Sequence, residues 1–371
     1  MNSIPQSRRR AFRTATVGIV SVLALTALAA CSPSASTPEG TEDAGEVRVY
    51  DGGGAWGDAQ AQAFFKPFEE ETGIKVIPIP GDAPAAMRTT IEAGNPSMDV
   101  VDLSGTDVFT WGEAGLLEPV NADEWTTADA ADFSPYPVLD NAVPSLLYAA
   151  QISWDKTAVP DGIDSWADFW KTSVGKVTLG DGSTISTGIF EAALLADGVA
   201  PDKLYPLDID RAFTKLTELR PNILKFWESG AESVQLLADG QVAAAGAYNG
   251  RVAALQAEND NIGSTWNEAV LSIDYWGIAA GSPNADNARK FIEFASRPDR
   301  QAEFASLITY APTNSKAYDD IDSDRQTLLP TAPQYADKVI PIDNDFWNSD
   351  SGNGTPWSEE IVNRWQKWLS E

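Results

Sequence analysis

Two side chains of opposite charge lie close together in the second half of the chain, Arg251 and Asp274. Arginine holds a carboxylate through two parallel hydrogen bonds, and aspartate accepts hydrogen bonds from an ammonium group. Two aromatic residues nearby in sequence, Tyr248 and Trp276, offer apolar surface to a short carbon chain. These four residues predict a binding site for a small molecule that carries one charge of each sign.

The local patterns indicate which elements hold the charged pair. Residues 243–248 are typical of a buried strand and residues 251–258 of a helix, which puts Arg251 at the junction between them. Residues 271–280 form another strand, whose apolar run is interrupted by Asp274. A carboxylate inside an apolar strand is costly unless it is paired, so an internal ion pair between the two residues is the alternative to a ligand site.

Three further candidates come from the first part of the chain. Residues 47–103 follow a β-α-β-α-β order, which predicts a parallel sheet with helices on both faces. Trp56 lies in the turn after the first strand, and Ser104 and Thr106 follow the third. Ligands of such sheets bind beyond the carboxyl ends of the strands, so these side chains share one rim. The alternatives are a tryptophan that covers the sheet and hydroxyls that cap a helix.

The composition excludes several kinds of chemistry. The chain has no histidine and a single cysteine, Cys31. Histidine acid-base relays, Ser-His-Asp triads, imidazole metal sites and thiolate sites are therefore excluded together. Carboxylates, lysine and tyrosine remain, but nothing in the sequence brings two acids together at a cleft as a hydrolase would require. We expect no catalytic site, no metal and no cofactor.

The charge balance is strongly acidic. The formal net charge is −28, and without residues 1–30, which hold 4 of the 26 basic and none of the 54 acidic residues, it is 22 minus 54, or −32. Such a surface argues against binding to nucleic acid and against adsorption to anionic lipid. The chain is nonetheless 43% hydrophobic with 13 tryptophans, as expected for a globular protein.

The amino terminus has the layout of an export signal. Residues 1–30 carry four arginines and then an apolar run, and residues 31–45 are rich in Ser, Pro, Thr, Glu and Gly, which predicts a disordered tether. The sequence Leu-Ala-Ala-Cys at residues 28–31 resembles the lipobox of bacterial lipoproteins, which implies a lipid anchor on Cys31. A plain signal peptide followed by an unrelated cysteine is the alternative. No later apolar run approaches the length of a membrane span.

Several motifs behind this leader are similar to those of one family. In chain order they are GGGAWGDAQ, FFKPFEEETGIKV, SWADFW, YNGR, DYWGIAAGSPNADNARKFIEFASRP and YAPTN. Together they resemble the extracellular solute-binding proteins of ABC importers, in the branch that includes spermidine/putrescine-binding proteins. The resemblance implies an α/β, two-lobed periplasmic-binding-protein fold of type II, in which each lobe is a doubly wound sheet. It also implies a monomeric, lipid-anchored receptor on the extracytoplasmic face of the membrane, with an ABC permease as partner.

The usual chain path of that family implies a division into lobes. Lobe one would comprise residues 46–152 with 274–319, and lobe two residues 153–273 with 320–371. The ligand would lie in the cleft between them.

The same resemblance bears on the ligand. Polyamine binders of the family carry an acid and a tryptophan where this chain has Asp274 and Trp276, and an aromatic residue at Tyr248. The chain departs from them at Arg251, a cation that a dication site should not tolerate, and at residues 183–188, where hydroxyls replace acids. The pattern instead resembles the subgroup that binds γ-aminobutyrate and related amino acids. A polyamine receptor is the first alternative, a sugar receptor the second, and a hydrolase or an adhesive protein more distant ones.

Overall fold

The computed structural model describes residues 45–80 and 84–371, so the predicted signal peptide and Cys31, with nearly all of the tether, lie outside the described residues. The strands are β1 (Glu46–Asp51), β2 (Lys75–Pro80), β3 (Val100–Ser104), β4 (Leu117–Glu118), β5 (Ala142–Asp155), β6 (Val177–Gly180), β7 (Ile223–Trp227), β8 (Ala244–Tyr248), β9 (Ile262–Ala279), β10 (Ala311–Pro312) and β11 (Val339–Pro341).

Helices cover both faces of the strands. They are α1 (Gly54–Gln60), α2 (Lys66–Thr72), α3 (Pro84–Glu92), α4 (Asp107–Glu113), α5 (Trp166–Phe169), α6 (Ile189–Ala196), α7 (Ile209–Leu219), α8 (Gly230–Ala238), α9 (Asn249–Glu258), α10 (Ala285–Ala295), α11 (Pro298–Leu307), α12 (Ser323–Gln326), α13 (Asn344–Asn348) and α14 (Trp357–Ser370). A π-helical turn, Ala61–Phe65, joins α1 to α2.

One sheet runs through the whole described molecule, in the order β2-β1-β3-β9-β5-β8-β6-β7. At one end β1 pairs in parallel with β2 and β3, as the β-α-β-α-β pattern predicts. At the other end β6 pairs in parallel with β7 and β8. The two parallel halves are joined by β5 and β9, which are antiparallel to each other and to their outer neighbours. The sheet is therefore mixed, with two parallel halves and a shared centre.

The two joining strands are longer than the sequence suggests. β9 begins at Ile262, whereas the apolar run predicts a strand only over residues 271–280. Its first part is polar, because that part lies at the edge of the ladder with the last residues of β5. The register of the β5–β9 ladder shifts twice, between Pro144 and Leu146 and between Ala150 and Ile152.

Separate hydrophobic cores pack against the two halves of the sheet. Against β1–β3 the core is built largely from phenylalanines, including Phe64, Phe68 and Phe291. Around β6 it is built from tryptophans of distant segments, including Trp166 and Trp365. Each half therefore has its own packed interior, and the strand ends between them are left to line a cleft. Within the described residues, no helix is long and apolar enough to cross a membrane.

Candidate ligand-binding cleft

A cavity of about 820 Å³ lies where the two halves of the sheet face each other. Five of the seven sequence-predicted site residues line it: Trp56, Ser104, Tyr248, Arg251 and Asp274. Its wall also includes residues that the sequence did not single out, namely Tyr50, Asp102, Asp107, Tyr148, Asp181, Lys225, Glu228 and Tyr310. The cavity thus combines aromatic surface with charges of both signs.

Asn249 fixes the start of the helix that carries the arginine. Its buried side chain accepts a hydrogen bond from the backbone N–H of Ala149 at 2.9 Å and donates one to the carbonyl of Thr309. These contacts tie the first turn of α9 both to the central strand β5 and to the segment before β10. The helix therefore starts from a fixed point beside the cleft.

Gly250 brings this first turn close to an aromatic ring. A Cβ atom at Gly250 would lie 2.5 Å from the ring of Tyr310, so a side chain there would displace the tyrosine. The Asn-Gly-Arg sequence therefore has a local explanation: one residue anchors the helix, the next allows close packing, and the third reaches into the cleft.

Arg251 spans the cleft to the other half of the molecule. It is only 8% exposed, and its guanidinium donates hydrogen bonds to the carbonyls of Gly52 at 3.1 Å and Gly53 at 3.3 Å. These carbonyls are available because they follow β1, where the chain turns into α1. A guanidinium has five N–H donors, so these bonds leave donors for a ligand carboxylate.

Asp274 lies on β9 on the opposite side of the cavity. Its Oδ1 accepts a hydrogen bond from the hydroxyl of Tyr148 at 2.8 Å. Burial raises the pKa of Asp274 and the hydrogen bond from Tyr148 lowers it; with a smaller upward effect from the charge of Asp107, the pKa lies at about 7. The carboxyl therefore titrates near neutral pH, although an exposed aspartate stays ionised there.

The structural alternative, an internal ion pair between Asp274 and Arg251, is absent from the part of the chain that the structure describes, because each side chain binds other groups. Three tyrosines lie near both charges: Tyr50, Tyr248 and Tyr310. Burial raises the pKa of each, that of Tyr310 to about 12, while Asp274 raises and Arg251 lowers all three. These three tyrosines therefore lie close to both charged side chains, Asp274 and Arg251.

Trp56 both lines the cavity and covers the end of a strand. It is 7% exposed, and its ring lies 5.5 Å from that of Tyr50. The absence of a side chain at Gly52 is required here, since a Cβ atom would lie 2.0 Å from the indole. The helix begins at Gly54, so Trp56 lies in its first turn and not in a free loop as the sequence suggests.

Trp276 and Thr106, which the sequence predicts as ligand contacts, are not among the residues that line the cavity. Trp276 shares a strand face with Asp274, but its indole is buried in the core, 5.4 Å from the ring of Phe64. The π-helical turn covers the sheet at that level, two residues farther from the cleft.

Thr106 is 2% exposed and its hydroxyl contacts that of Ser104 at 3.0 Å, so it lies behind the cavity wall. Ser104 itself lines the cavity and also accepts a hydrogen bond from the N–H of Asp107.

Two of the carboxylates that the sequence did not single out lie on the same side of the cavity as Asp274. Asp102 lies on β3 and Asp107 begins α4, and burial raises the pKa of both. With Asp274 they form a group that we call the acidic wall. The signal that singled out Asp274, an acid in an apolar strand, is equally present at Asp102 in the sequence Val-Val-Asp-Leu-Ser.

The opposite side of the cleft carries hydroxyls and paired charges. Ser183, Thr184, Ser186 and Thr187 line it, at the segment where the sequence has hydroxyls in place of acids. Lys225 forms an ion pair with Glu232, so its charge is largely compensated. We call this side, with Arg251, the arginine wall. Among the described residues, no group of acidic side chains is arranged to hold a metal ion.

Residues 63–331 match the family described as bacterial extracellular solute-binding protein. The chain belongs to this family. It is 35% identical over 332 residues to a gamma-aminobutyric acid-binding protein of Pseudomonas aeruginosa, covering 87% of this chain and 91% of that relative. It is 25% identical over 323 residues to a spermidine/putrescine-binding periplasmic protein of Escherichia coli, covering 83% and 89% of the two chains.

A solved structure agrees with these relatives. The Atu4243 GABA receptor is similar with a TM-score of 0.74 and 32% identity, covering 87% of this chain and 97% of that chain. The expected α/β periplasmic-binding-protein fold is thereby confirmed, and the solute-binding protein is a small-solute receptor of an ABC importer rather than an enzyme. Its family is extracellular, which places it outside the cytoplasm.

Proposed function

We propose that this solute-binding protein captures γ-aminobutyrate or a closely related amino acid for import. Arg251 binds the ligand carboxylate, Asp274 binds the ammonium group, and Trp56 and Tyr248 pack against the carbon chain between them. The observation that carries the proposal is that Arg251 and Asp274 line one cavity without pairing with each other. Similarity to a gamma-aminobutyric acid-binding protein and to a GABA receptor supports the same ligand class.

The chemistry of the two ends supports a zwitterion. The guanidinium has further N–H donors beyond its two carbonyl contacts, and the carboxyl of Asp274 has no cationic partner among the described residues. A ligand of about seven non-hydrogen atoms has a ceiling of about −1.5 kcal/mol per atom, or about −10 kcal/mol in total. Affinity near that ceiling requires nearly complete enclosure, which a cleft closing on the ligand provides.

A polyamine receptor is the second candidate, and the acidic wall favours it. Asp102 and Asp107 add negative charge beside Asp274, and the chain is similar to a spermidine/putrescine-binding protein. In that case the bonds from Arg251 to Gly52 and Gly53 would be its whole role, holding the cleft closed. The two candidates therefore differ in what Arg251 does.

Titration calorimetry on residues 32–371 with γ-aminobutyrate, putrescine and spermidine separates them. For the zwitterion, Arg251→Ala should weaken binding by about 2 to 5 kcal/mol, because a buried charge loses its partner. Arg211→Ala, an exposed arginine outside the cavity, is the matched control and should bind as the wild type does. Binding of putrescine or spermidine with no effect of Arg251→Ala would replace the amino acid by a polyamine.

The finer features of the leader and the lobes belong to the proposal too. We propose that Cys31 carries a lipid anchor, that the receptor is monomeric, and that an ABC permease of the membrane reads the closed form. We also propose two lobes that follow the division predicted from the sequence, except at its last boundary. Ile321 and Leu329 pack with the core on the β3 side, which favours a return to lobe two only after residue 329.

A further inference from the structure

Asp102 has an unsatisfied carboxylate oxygen beside the cleft. The residue lines the cavity yet is only 8% exposed, and its Oδ2 has no hydrogen-bond partner among the described residues. Its Oδ1 has one long contact, from the hydroxyl of Ser145 at 3.4 Å. A buried carboxylate without donors is unfavourable by several kcal/mol, so it either holds a proton or awaits a cationic ligand.

The two neighbouring acids belong to the same side of the cleft. Ser104 on β3 pairs with Asp274 on β9, and Asp102 lies two residues away on the same strand face. Asp107 starts the helix that follows β3 and accepts a hydrogen bond from the hydroxyl of Ser104 at 2.7 Å. Burial raises the pKa of all three acids, and that of Asp102 is raised further by Asp274.

Few cations face this group. Tyr50 from β1 and Tyr148 from β5 are neutral near pH 7, because burial raises the pKa of each above its ordinary value. Arg88 from α3 lowers the pKa of Asp107, but burial and the hydrogen bond from Ser104 affect that pKa more. Arg251 from α9 is bonded to backbone carbonyls. Neighbouring carboxyls in such surroundings cannot all be ionised, so the empty wall retains a proton.

We propose that Asp102, Asp107 and Asp274 together form a pocket for a primary ammonium group, and that ligand binding expels the proton held by the empty pocket. The pocket deepens the proposed function by defining the amine end of the ligand.

A primary ammonium group has three N–H donors, and carboxylates of the acidic wall can accept hydrogen bonds from them. Methylation removes these donors and adds volume, so a trimethylated amine would leave the carboxylates buried and unpaired. A ligand that leaves buried polar groups of the site unpaired can bind more weakly by a large factor, because each unpaired group carries a desolvation cost. The pocket should therefore reject betaine-like ligands.

The test uses wild-type protein with two parent ligands, γ-aminobutyrate and putrescine, and their fully N-methylated counterparts. Calorimetry near pH 7 in phosphate and in Tris gives both affinity and proton release from the difference in buffer ionisation heat. We expect a parent that binds to release on the order of half a proton, and its methylated counterpart to bind at least about 100-fold more weakly. Asp102→Asn should reduce proton release, whereas Asp286→Asn, on an exposed side chain, should not.

The outcomes test the ammonium pocket separately from the proposed zwitterion receptor. If γ-aminobutyrate and its trimethylated form bind equally, or if Asp102→Asn changes neither affinity nor proton release, the pocket is wrong while the zwitterion receptor stands. If only putrescine binds and methylation abolishes its binding, the pocket stands and the zwitterion assignment is wrong. If neither parent binds, both proposals are overturned. A thermal melt of Asp102→Asn shows that the variant is folded.

Discussion

The two walls of the cleft hold charge in different ways. The acidic wall is built on adjacent strands and the first residue of a helix, and burial raises the pKa of each of its carboxyls. The arginine wall depends on the guanidinium of Arg251, whose planar fork is bonded to the carbonyls of Gly52 and Gly53. Ligand binding at the acidic wall should therefore depend on the protonation of its carboxyls. At the arginine wall, a ligand carboxylate competes with backbone carbonyls for the N–H donors of Arg251.

The largest expected effect is on the acidic wall. Asp274→Asn removes the charge nearest the proposed ammonium group while keeping the shape, and should weaken ligand binding by about 3 to 5 kcal/mol. Titration calorimetry measures the loss. Asp286→Asn, an exposed acid on α10, is the control. An unchanged affinity would show that the ammonium group does not bind to Asp274 on β9.

On the arginine wall we expect a smaller loss for a conservative change. Arg251→Lys keeps the charge but removes the planar fork, so a carboxylate ligand should bind about 1 to 3 kcal/mol more weakly. Calorimetry on Arg251→Lys and Arg251→Ala in parallel separates the contribution of the charge to ligand binding from that of the planar guanidinium. Equal losses for both variants would indicate that the fork, not the charge, holds the ligand.

A change of pH should affect one wall only. Because burial raises the pKa of Asp274 to about 7, protons compete with the ligand below that pH. Affinity should therefore fall by about tenfold, or about 1.4 kcal/mol, between roughly pH 8 and pH 6. Arg251→Lys should show the same pH dependence at a lower affinity. A flat profile in the wild type would show that Asp274 is ionised throughout this range.

The last prediction concerns stability without ligand. A carboxyl whose folded pKa lies above its unfolded value destabilises the fold by an amount that grows as pH rises from about 4 to the folded pKa and stays constant above it. Since the pKa of Asp274 is about 7, Asp274→Asn should stabilise the free protein at roughly pH 8, and this gain should vanish toward roughly pH 4. Urea unfolding with and without the substitution measures it. A destabilised variant at that pH would contradict the burial argument.

Part of the cleft could be predicted because charges in apolar surroundings are visible in a sequence. Arg251 after a strand and Asp274 within one were found this way, and both line the cavity. The parallel order of β1, β2 and β3 was also predictable, since strand and helix patterns alternate clearly there. Local pattern therefore located two of the charges that matter and the strands near them.

The errors have physical reasons as well. Periodicity gives the face of a strand but not what covers it, so Trp276 was predicted to contact ligand although the turn carrying Phe64 buries it. Asp102 carries the same local signal as Asp274, an acid within an apolar strand, but its place near Asp274 depends on the pairing of β3 with β9, which lies far away in sequence. Tyr148 and Tyr310 likewise reach the cleft only through tertiary packing. Long-range contacts decide these cases, and a single sequence does not display them.

The continuous sheet has a mechanical consequence. Because β5 and β9 carry one hydrogen-bonded ladder from one half to the other, any change of angle between the halves must bend or twist that ladder. The two register shifts of the β5–β9 ladder, where regular pairing is interrupted, are the compliant points. The sheet thus acts as an elastic element, and part of the binding free energy of any ligand that draws the walls together is stored as strain in these two strands.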